Sequence, residues 1–507
     1  DRQRAPCRQG NNFMTKPNII LIEADQLAAF VLSMYSLEAQ AITPHLDELA
    51  SSGAVFANAY SNSPLCCPSR ASKFSGRLPS THEVWGNGSE FRSEIPTMMH
   101  FLRSAGYECV VSGKCHFIGA DQLHGFDRRL TTDMYPSGFD WTIDWDLGPI
   151  HREGTSTKKL SVSGLCGTNN QILYDAEVQF RAIEYLRHKA LEKSDQPFLL
   201  HVSYTQPHEA YQSVPEYWER YNGVDIRLPK IPAEKTGHAT TEWLKIHHGI
   251  DQFLPDEETV RLSRRAYYAM ISHLDDYVGE IVAELKHLAM YDNSVIIFTS
   301  DHGDMLGERG MWFKRTFYQG SLQVPMIISG PGIVAGTRNE SITLADLCPT
   351  LAELGGAKAQ SDRHGSADSA SFLGLLVDGS QSVKDEAIAE YYGPGVVEPW
   401  LAIVRDGWKY VWTRNHDDLL FNIANDPSEQ VNLVADPAHA AIVDQFRERL
   451  LGRYNVEDVT WRAAESKRTR SFLHEALSTN EGYAWDYQPE FDARQQYVRG
   501  VNKPSTV

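Results

Sequence analysis

RRAYYAMISHLDDYVGEIVAELKHLAMYDNSVIIFTSDHGD, residues 264–304, holds two elements and the join between them. Its first part is a long amphipathic helix, with apolar residues recurring every three to four positions. Asp292-Asn293 marks a turn. The second part is a short apolar run, Val295–Thr299, that ends in Asp-His-Gly. A run of that length and composition reads as a strand buried on both faces, and such strands belong to parallel sheets. A helix leading into a buried strand that stops at polar residues predicts an α/β fold.

The same alternation extends in both directions. Upstream, PNIILIEADQ (17–26) is a second buried strand ending in acid and amide. TPHLDELASSGAVFANAYS (43–61) carries Leu46, Leu49 and Ala50 at helical spacing, with Gly53 as the stop. IPTMMHFLRSAGYECVVSGKCHF (95–117) reads as a helix, a Gly106 cap, a strand, and a turn with Lys114 and His116. AEVQFRAIEYLRHKAL (176–191) is a helix, and PFLLHVSYTQPH (197–208) is a strand entering a polar loop. Downstream, VPMIISGPG (324–332) is another strand. The expectation is a large, mixed, mainly parallel sheet sandwiched by helices. From about residue 385 the rhythm changes to short strands and turns, then a helix at 440–454. This predicts a smaller C-terminal antiparallel sheet plus helix. The last stretch, YAWDYQPEFDARQQYVRGVNKPSTV, has no period, and Tyr483, Trp485 and Tyr487 favour docking over disorder.

The totals narrow the function. The chain has 507 residues, 42% hydrophobic and 22% charged, as a globular protein with a sizeable core requires. A net charge of −18 argues against nucleic acid as the main partner. No apolar run approaches the roughly 20 residues that span a bilayer, so no membrane partner is expected. The polar, basic start DRQRAPCRQGNNFMTK reads as no secretory signal, with Met14 as a candidate start and a leader before it. Seven cysteines, an odd and low number without repeated CxxC, argue against a disulfide scaffold or zinc ribbon and for a reducing compartment. The expected location is cytoplasmic.

Ligands in open α/β sheets bind beyond the carboxyl ends of the strands. Four places qualify: Asp25-Gln26, Lys114-Cys115-His116, Gln206-Pro207-His208 and Asp301-His302. Carboxylate and imidazole together suit a divalent cation, and lysine and histidine beside them suit an anionic substrate. Singly, each has a plainer reading: Asp as a helix N-cap, His as a satisfied polar group, Lys as a solvated charge. In LCCPSRASKFSGR (65–77), Pro68 fits a first helical turn and Gly76 an end. Cys66 then lies at the positive helix end, which favours a thiolate or a bound anion. Arg70, one turn on, can reach the same anion. Packing as a small buried hydrophobe stays open for Cys66.

At this point the sequence resembles a known family. CCPSRASKFSGR resembles the type I sulfatase signature, Cys-x-Pro-Ser-Arg followed by Gly-Arg, and residues 17–26, 43–61, 113–116 and 295–310 resemble that family's other blocks in the same order. The resemblance implies an alkaline-phosphatase-like fold and the hydrolysis of a sulfuric ester. It implies that Cys66 is converted to formylglycine by a formylglycine-generating enzyme, and that Cys67 fills the variable position. Hydrated formylglycine, a gem-diol, would attack sulfur, displace the alcohol, and leave a covalent sulfate ester that later expels sulfate. Asp25, Asp301, His302 and the modified Cys66 would hold one divalent metal ion, Ca²⁺ or Mn²⁺, with Gln26 nearby. Arg70 would anchor the modified residue and the sulfate. Lys114, His116, His208 and Lys314 would surround the sulfate, one histidine serving as acid or base.

Asp25-Gln26 and Asp301-His302 are similar to the pairs of choline sulfatases and phosphonate monoester hydrolases, and GKCHFIGADQLHGFDRRLTTDMYPSGFDW (113–141) is similar to a choline sulfatase block. A quaternary ammonium needs aromatic faces and a carboxylate. Trp141, Asn87 and Glu390 are the candidates, with core packing as the other reading of Trp141. The segment 150–166 departs from the choline sulfatase pattern and lacks an expected His-Asn pair. The substrate class is therefore a small organic sulfate, choline-O-sulfate-like or aryl. The alternatives are an arylsulfatase or phosphonate monoester/phosphodiester hydrolase, and a non-catalytic anion-binding homologue. The implied organisation is a catalytic domain over 14–380, a small α+β unit over 381–470, and a tail over 471–507. The tail of similar proteins docks on a neighbouring subunit, which implies a homo-oligomer, dimer or tetramer.

Overall fold

The computed structural model describes residues 16–142, 148, 155–192, 194–234, 237–378 and 385–478. Cys7, Met14, the 380/381 boundary and the tail aromatics Tyr483, Trp485 and Tyr487 lie outside the described residues.

Among the described residues up to 343 there are ten strands: β1 (Asn18–Ala24), β2 (Ala54–Tyr60), β3 (Glu108–Gly113), β4 (Arg128–Arg129), β5 (Gly164–Leu165), β6 (Phe198–Ser203), β7 (Gln212–Ser213), β8 (Ser294–Ser300), β9 (Met326–Ser329) and β10 (Gly336–Thr343). Eight of them form one sheet in the order β10-β2-β9-β8-β1-β6-β3-β4, and β5 and β7 form a separate two-stranded ribbon. All neighbours in the large sheet are parallel except β9, which runs antiparallel to both β2 and β8. The expected mixed, mainly parallel sheet is what the chain forms.

β1 lies at the centre, and its alternation divides the core. Ile20, Ile22 and Ala24 join an apolar cluster on one face, while Ile19 and Leu21 join another on the opposite face. The first face is covered by the helices Glu257–His287 and Asn170–Leu191, through Tyr267, Ile271, Leu274, Val178 and Leu186 among others. The second is covered by the helices Cys66–Ser75, Met98–Ser104 and Leu347–Leu354. Burial on both faces is why these strands read as continuous apolar runs.

The C-terminal unit is a four-stranded antiparallel sheet of β11 (Ala387–Tyr391), β12 (Trp400–Arg405), β13 (Trp408–Thr413) and β14 (Leu419–Asn422). The helix Ala440–Leu451 packs on it, as expected. A second helix, Val456–Ser478, was not anticipated. Its buried stripe is Val459, Ala463, Lys467 and Arg470, so two of the four inward positions are cations and the stripe has no apolar signature.

Candidate active site

The four polar strand ends meet because their strands are neighbours. β8, β1, β6 and β3 run side by side and parallel, so Asp301, Asp25, the loop after Ser203 and Lys114 emerge at one edge of the sheet. Gly113 permits the turn into Lys114: its φ is +111°, and a Cβ there would lie 2.0 Å from the Ser203 carbonyl oxygen. Asp175 fixes the loop after β6, accepting from the Thr205 N–H at 2.8 Å and the Gln206 N–H at 3.0 Å.

The helix Cys66–Ser75 approaches this edge with its N-terminus. Leu65, its N-cap, is extended and makes no side-chain cap; Asn87 takes the Cys67 N–H and Pro68 has none, so the positive end of the helix dipole faces residue 66. All ten of its residues are buried, and Gly76 at φ +70° ends it, as the sequence indicated. Cys66 Sγ lies 3.4 Å from His302 Nε2 and 3.9 Å from Asp25 Oδ1. Asp25, Cys66, Asp301 and His302 each offer a ligand atom within 4.8 Å of the others, all of them buried.

The electrostatics of this quartet suit a cation. Burial raises the Asp25 carboxyl above its ordinary value, and the Asp301 charge adds to it. Asp301 is held below its ordinary value: burial opposes this, but the His302 and Arg70 charges win. Two carboxylates pressed together with an imidazole and a sulfur or oxygen ligand are the donor set of a divalent cation. Burial also resists ionisation of Cys66, yet the charges of Lys114 and Lys314 hold its thiol well below the usual range.

Beneath the quartet, Arg70 is a fixed strut. Its Nε donates to Asp301 Oδ2 at 3.0 Å, and its Nη1 donates to Glu23 Oε2 at 3.0 Å, the Lys114 carbonyl at 2.9 Å and Ser203 Oγ at 2.8 Å. Glu23 sits in the middle of β1 and also accepts from Lys73 and pairs with His201 Nε2 at 3.0 Å. Glu23, Lys73 and His201 are completely buried. Burial works against the Glu23 charge, but Arg70 and Lys73 hold its carboxyl well below the ordinary range.

Around the sulfur stand the expected cations. Lys114 Nζ donates to Asp25 Oδ2. Lys314 Nζ donates to Gln26 Oε1 at 2.5 Å and to His208 Nε2 at 2.7 Å. Both ring nitrogens of His116 have no partner of the hydrogen-bonding kind. Gln26 lies beside the quartet rather than in it, passing a further bond to Asp304 Oδ2 at 2.5 Å.

Cys66, Asn87, His116, Trp141, His208 and Lys314 all line one cavity of about 640 Å³. Trp141 is 37% exposed, so the core-packing reading of this residue gives way to a place in the cavity wall. Its ring meets His116 edge-on at 5.2 Å, and Tyr135 stacks on the same imidazole at 4.5 Å. Asn87 has a second task, its Oδ1 accepting from the Cys67 N–H at 3.1 Å.

Glu390 is a correction. It lies outside the cavity wall, fully buried on β11, accepting from the Ser80 N–H at 2.7 Å and Ser80 Oγ at 2.9 Å. Its carboxylate ties the C-terminal sheet to the main unit. It was a candidate as the carboxylate a quaternary ammonium needs, but Ser80 takes both of its oxygens.

The sequence reading missed Tyr135, Asp140, Lys159, Glu209 and Arg315, which also line the cavity. Tyr135 and Asp140 stand in the quoted block 113–141, and Arg315 adjoins Lys314; their polarity was visible, their direction was not. Asp133 was missed too: Oδ2 accepts from the N–H groups of Cys115 at 2.9 Å and His116 at 2.8 Å, fixing the turn that carries the imidazole.

Comparison with known proteins agrees with this geometry. The Sulfatase family model matches residues 17–357, a model of the N-sulphoglucosamine sulphohydrolase C-terminal region matches 307–455, and one of the choline sulfatase enzyme C terminus matches 462–503. The chain is 38% identical over 503 residues to choline-sulfatase from Rhizobium meliloti (strain 1021), covering 96% of each. It is 25% identical over 437 residues to arylsulfatase K from Danio rerio, covering 83% of this chain and 80% of that one. The crystal structure of phosphonate monoester hydrolase from Agrobacterium radiobacter shares the fold, with a TM-score of 0.66 at 24% identity over 86% of this chain and 95% of that one. A signature cysteine at a helix mouth, an acid-rich cation site beside it, and a full-length match to a curated member together make this chain a member of the sulfatase family.

Proposed function

We propose that this protein hydrolyses a small organic sulfate monoester, with residue 66, matured from Cys to formylglycine, carrying the nucleophilic oxygen. The observation that supports it most is the placement of Cys66: 3.4 Å from His302 and 3.9 Å from Asp25, at a helix N-terminus, opening into a cavity lined by Lys314, His116 and His208.

A divalent ion, Ca²⁺ or Mn²⁺, held by Asp25, Asp301, His302 and residue 66, would supply Lewis acidity toward oxygen. The aldehyde that a formylglycine-generating enzyme would install at residue 66 would supply, once hydrated, an oxygen nucleophile toward sulfur, with the alcohol as leaving group. The remaining work falls to the chain's own residues. Lys114 and Lys314 balance charge on the transferring sulfate in a buried site, where such charges act strongly. Burial lowers the His116 pKa, keeping it neutral and able to accept a proton, and its two unpartnered nitrogens face no competing protein group. His208 sits against Lys314 at 2.7 Å and is placed to exchange a proton with the departing alcohol. Arg70 holds Asp301 and the Lys114 carbonyl, so both sides of the site keep one geometry.

The wall of Tyr135 and Trp141 suits a flat ring or methylated groups. Turnover of choline sulfate, an aryl sulfate and a phenyl phosphonate would rank the leaving groups. In this reading the tail over 471–507 docks on a second copy in a dimer or tetramer. Peptide mass spectrometry across residues 61–77 tests the core of the proposal. Active protein should show the thiol-to-aldehyde change at Cys66; an unaltered thiol in fully active protein would exclude it.

A further inference from the structure

We infer that the cavity holds a second anion-binding subsite, built on Arg315, and that the preferred substrate is a sulfate monoester whose alcohol carries another oxyanion. This rests on the sulfate-ester reading above and specifies its leaving group. Arg315 lines the cavity and is only 5% exposed. Its one hydrogen-bond contact is Nη1 to His248 Nε2 at 3.5 Å, its Nε has no partner, and no carboxylate among the described residues pairs with it.

The other buried arginines are satisfied differently. Arg70 and Arg264, and the half-buried Arg129, also leave one nitrogen unpartnered, but each of these, like Arg309, meets a carboxylate. Arg338 donates to three carbonyls, and Arg470 meets the hydroxyls of Ser466 and Thr142 away from the cavity wall. A buried guanidinium without an anion is costly, and a fork of N–H donors facing a cavity is the usual receptor for carboxylate or sulfate oxygens.

His248 does not relieve this charge. It is completely buried, and burial together with the Arg315 charge holds its pKa well below the ordinary value, so it stays neutral. Glu209 and Asp140 are carboxylates of the wall, and neither pairs with Arg315; Glu209 Oε1 lies 3.6 Å from Lys159. Lys314 serves Gln26 and His208. The backbone supports a dedicated role: Phe313 at φ +66° and Arg315 at φ +83° flank Lys314, and non-glycine residues hold such conformations where surrounding structure dictates them. A leaving group with its own positive charge would be repelled from this end of the cavity, and one with a carboxylate or second sulfate would complete it.

The test compares 3-carboxyphenyl sulfate, phenyl sulfate and choline-O-sulfate on protein shown by mass spectrometry to carry formylglycine. Wild type should favour the carboxylated ester over phenyl sulfate by about tenfold or more in kcat/KM. Arg315→Met should bring that ratio close to one, chiefly through KM, and Arg315→Lys should keep part of it. A wild-type ratio of one or below, a preference for choline-O-sulfate, or an equal loss on all esters in Arg315→Met would overturn the subsite. If Arg315→Met does not fold, by its thermal midpoint, the wild-type ratio and Arg315→Lys decide the matter. Failure to turn over any sulfate ester would instead overturn the functional reading itself.

Discussion

Arg70 and Arg315 stand at two sides of one site, both buried, and they are treated in opposite ways. Arg70 donates to two carboxylates, a carbonyl and a hydroxyl; burial opposes its charge, but Glu23 and Asp301 hold its pKa above the ordinary value. Arg315 has a neutral imidazole at 3.5 Å. In the floor, made of parallel strand ends, Arg70, Lys73 and Lys114 each meet a carboxylate before any substrate arrives. The wall, made of loops, is left for the substrate to complete. Preorganised charge serves the chemical step, which must be the same in each turnover. An uncompensated charge at the wall serves discrimination, because a wrong partner leaves it unpaired.

The floor can be broken most severely at the nucleophile. Cys66→Ala should abolish turnover, a loss of about 10⁴ or more, while the far-ultraviolet circular dichroism and the thermal midpoint stay near wild type. Cys67→Ala should keep turnover within a few-fold: burial holds its thiol well above the ordinary range, so it stays protonated, and its Sγ donates to carbonyls, those of His116 at 3.2 Å and Asn87 at 3.6 Å. Equal losses in both would contradict the assignment. Next in size, prolonged chelation should lower kcat on the order of a thousandfold. It should also lower the thermal midpoint, because Asp25 and Asp301 are then left facing each other; activity and midpoint both indifferent to chelation would argue against a cation at the quartet.

The support under the floor is sharpened by Glu23. Glu23→Gln strips a buried Lys73 and Arg70 of a shared carboxylate and should cost about 3 kcal/mol in urea unfolding. Glu23→Met with Lys73→Met should recover much of that, since the two charges leave together. If the double variant is as unstable as the sum of the singles, the two residues are not one ionic unit. The smallest effect lies away from both regions, at Glu390, whose carboxyl is pushed up to about 7, mainly by burial. A raised folded pKa means that the native state binds the proton more tightly. That stabilisation is complete below about pH 4.5 and is lost as pH rises toward 7, by about 3 kcal/mol at most. Glu390→Gln should flatten the decline of the thermal midpoint over this window, and an unchanged slope would show that Glu390 is already ionised.

Legibility followed burial and period. The central strands were readable because both of their faces are apolar, and the ends of those strands were readable because the polar residues begin where burial stops. The helix Cys66–Ser75 announced itself through Pro68 and Gly76. By contrast, Val456–Ser478 was invisible as an amphipathic helix because Lys467 and Arg470 occupy its inward face. The ion cluster of Glu23, Lys73 and His201 was equally hidden: three polar residues far apart in sequence, brought together only by adjacent strands and the helix above them.

Local sequence alone determined the α/β alternation, the strand ends that carry Asp25, Lys114, His208 and Asp301, and the signature helix with Cys66 at its mouth. These follow from short-range rules of periodicity and capping that need no distant partner. Tertiary structure alone decided which polar side chains face the cavity: it turned Glu390 inward to Ser80, aimed Arg315 at the substrate space, and set Trp141 in the wall. Side-chain direction depends on register and on loop backbone, which are set by contacts between residues hundreds of positions apart. No window of sequence contains them.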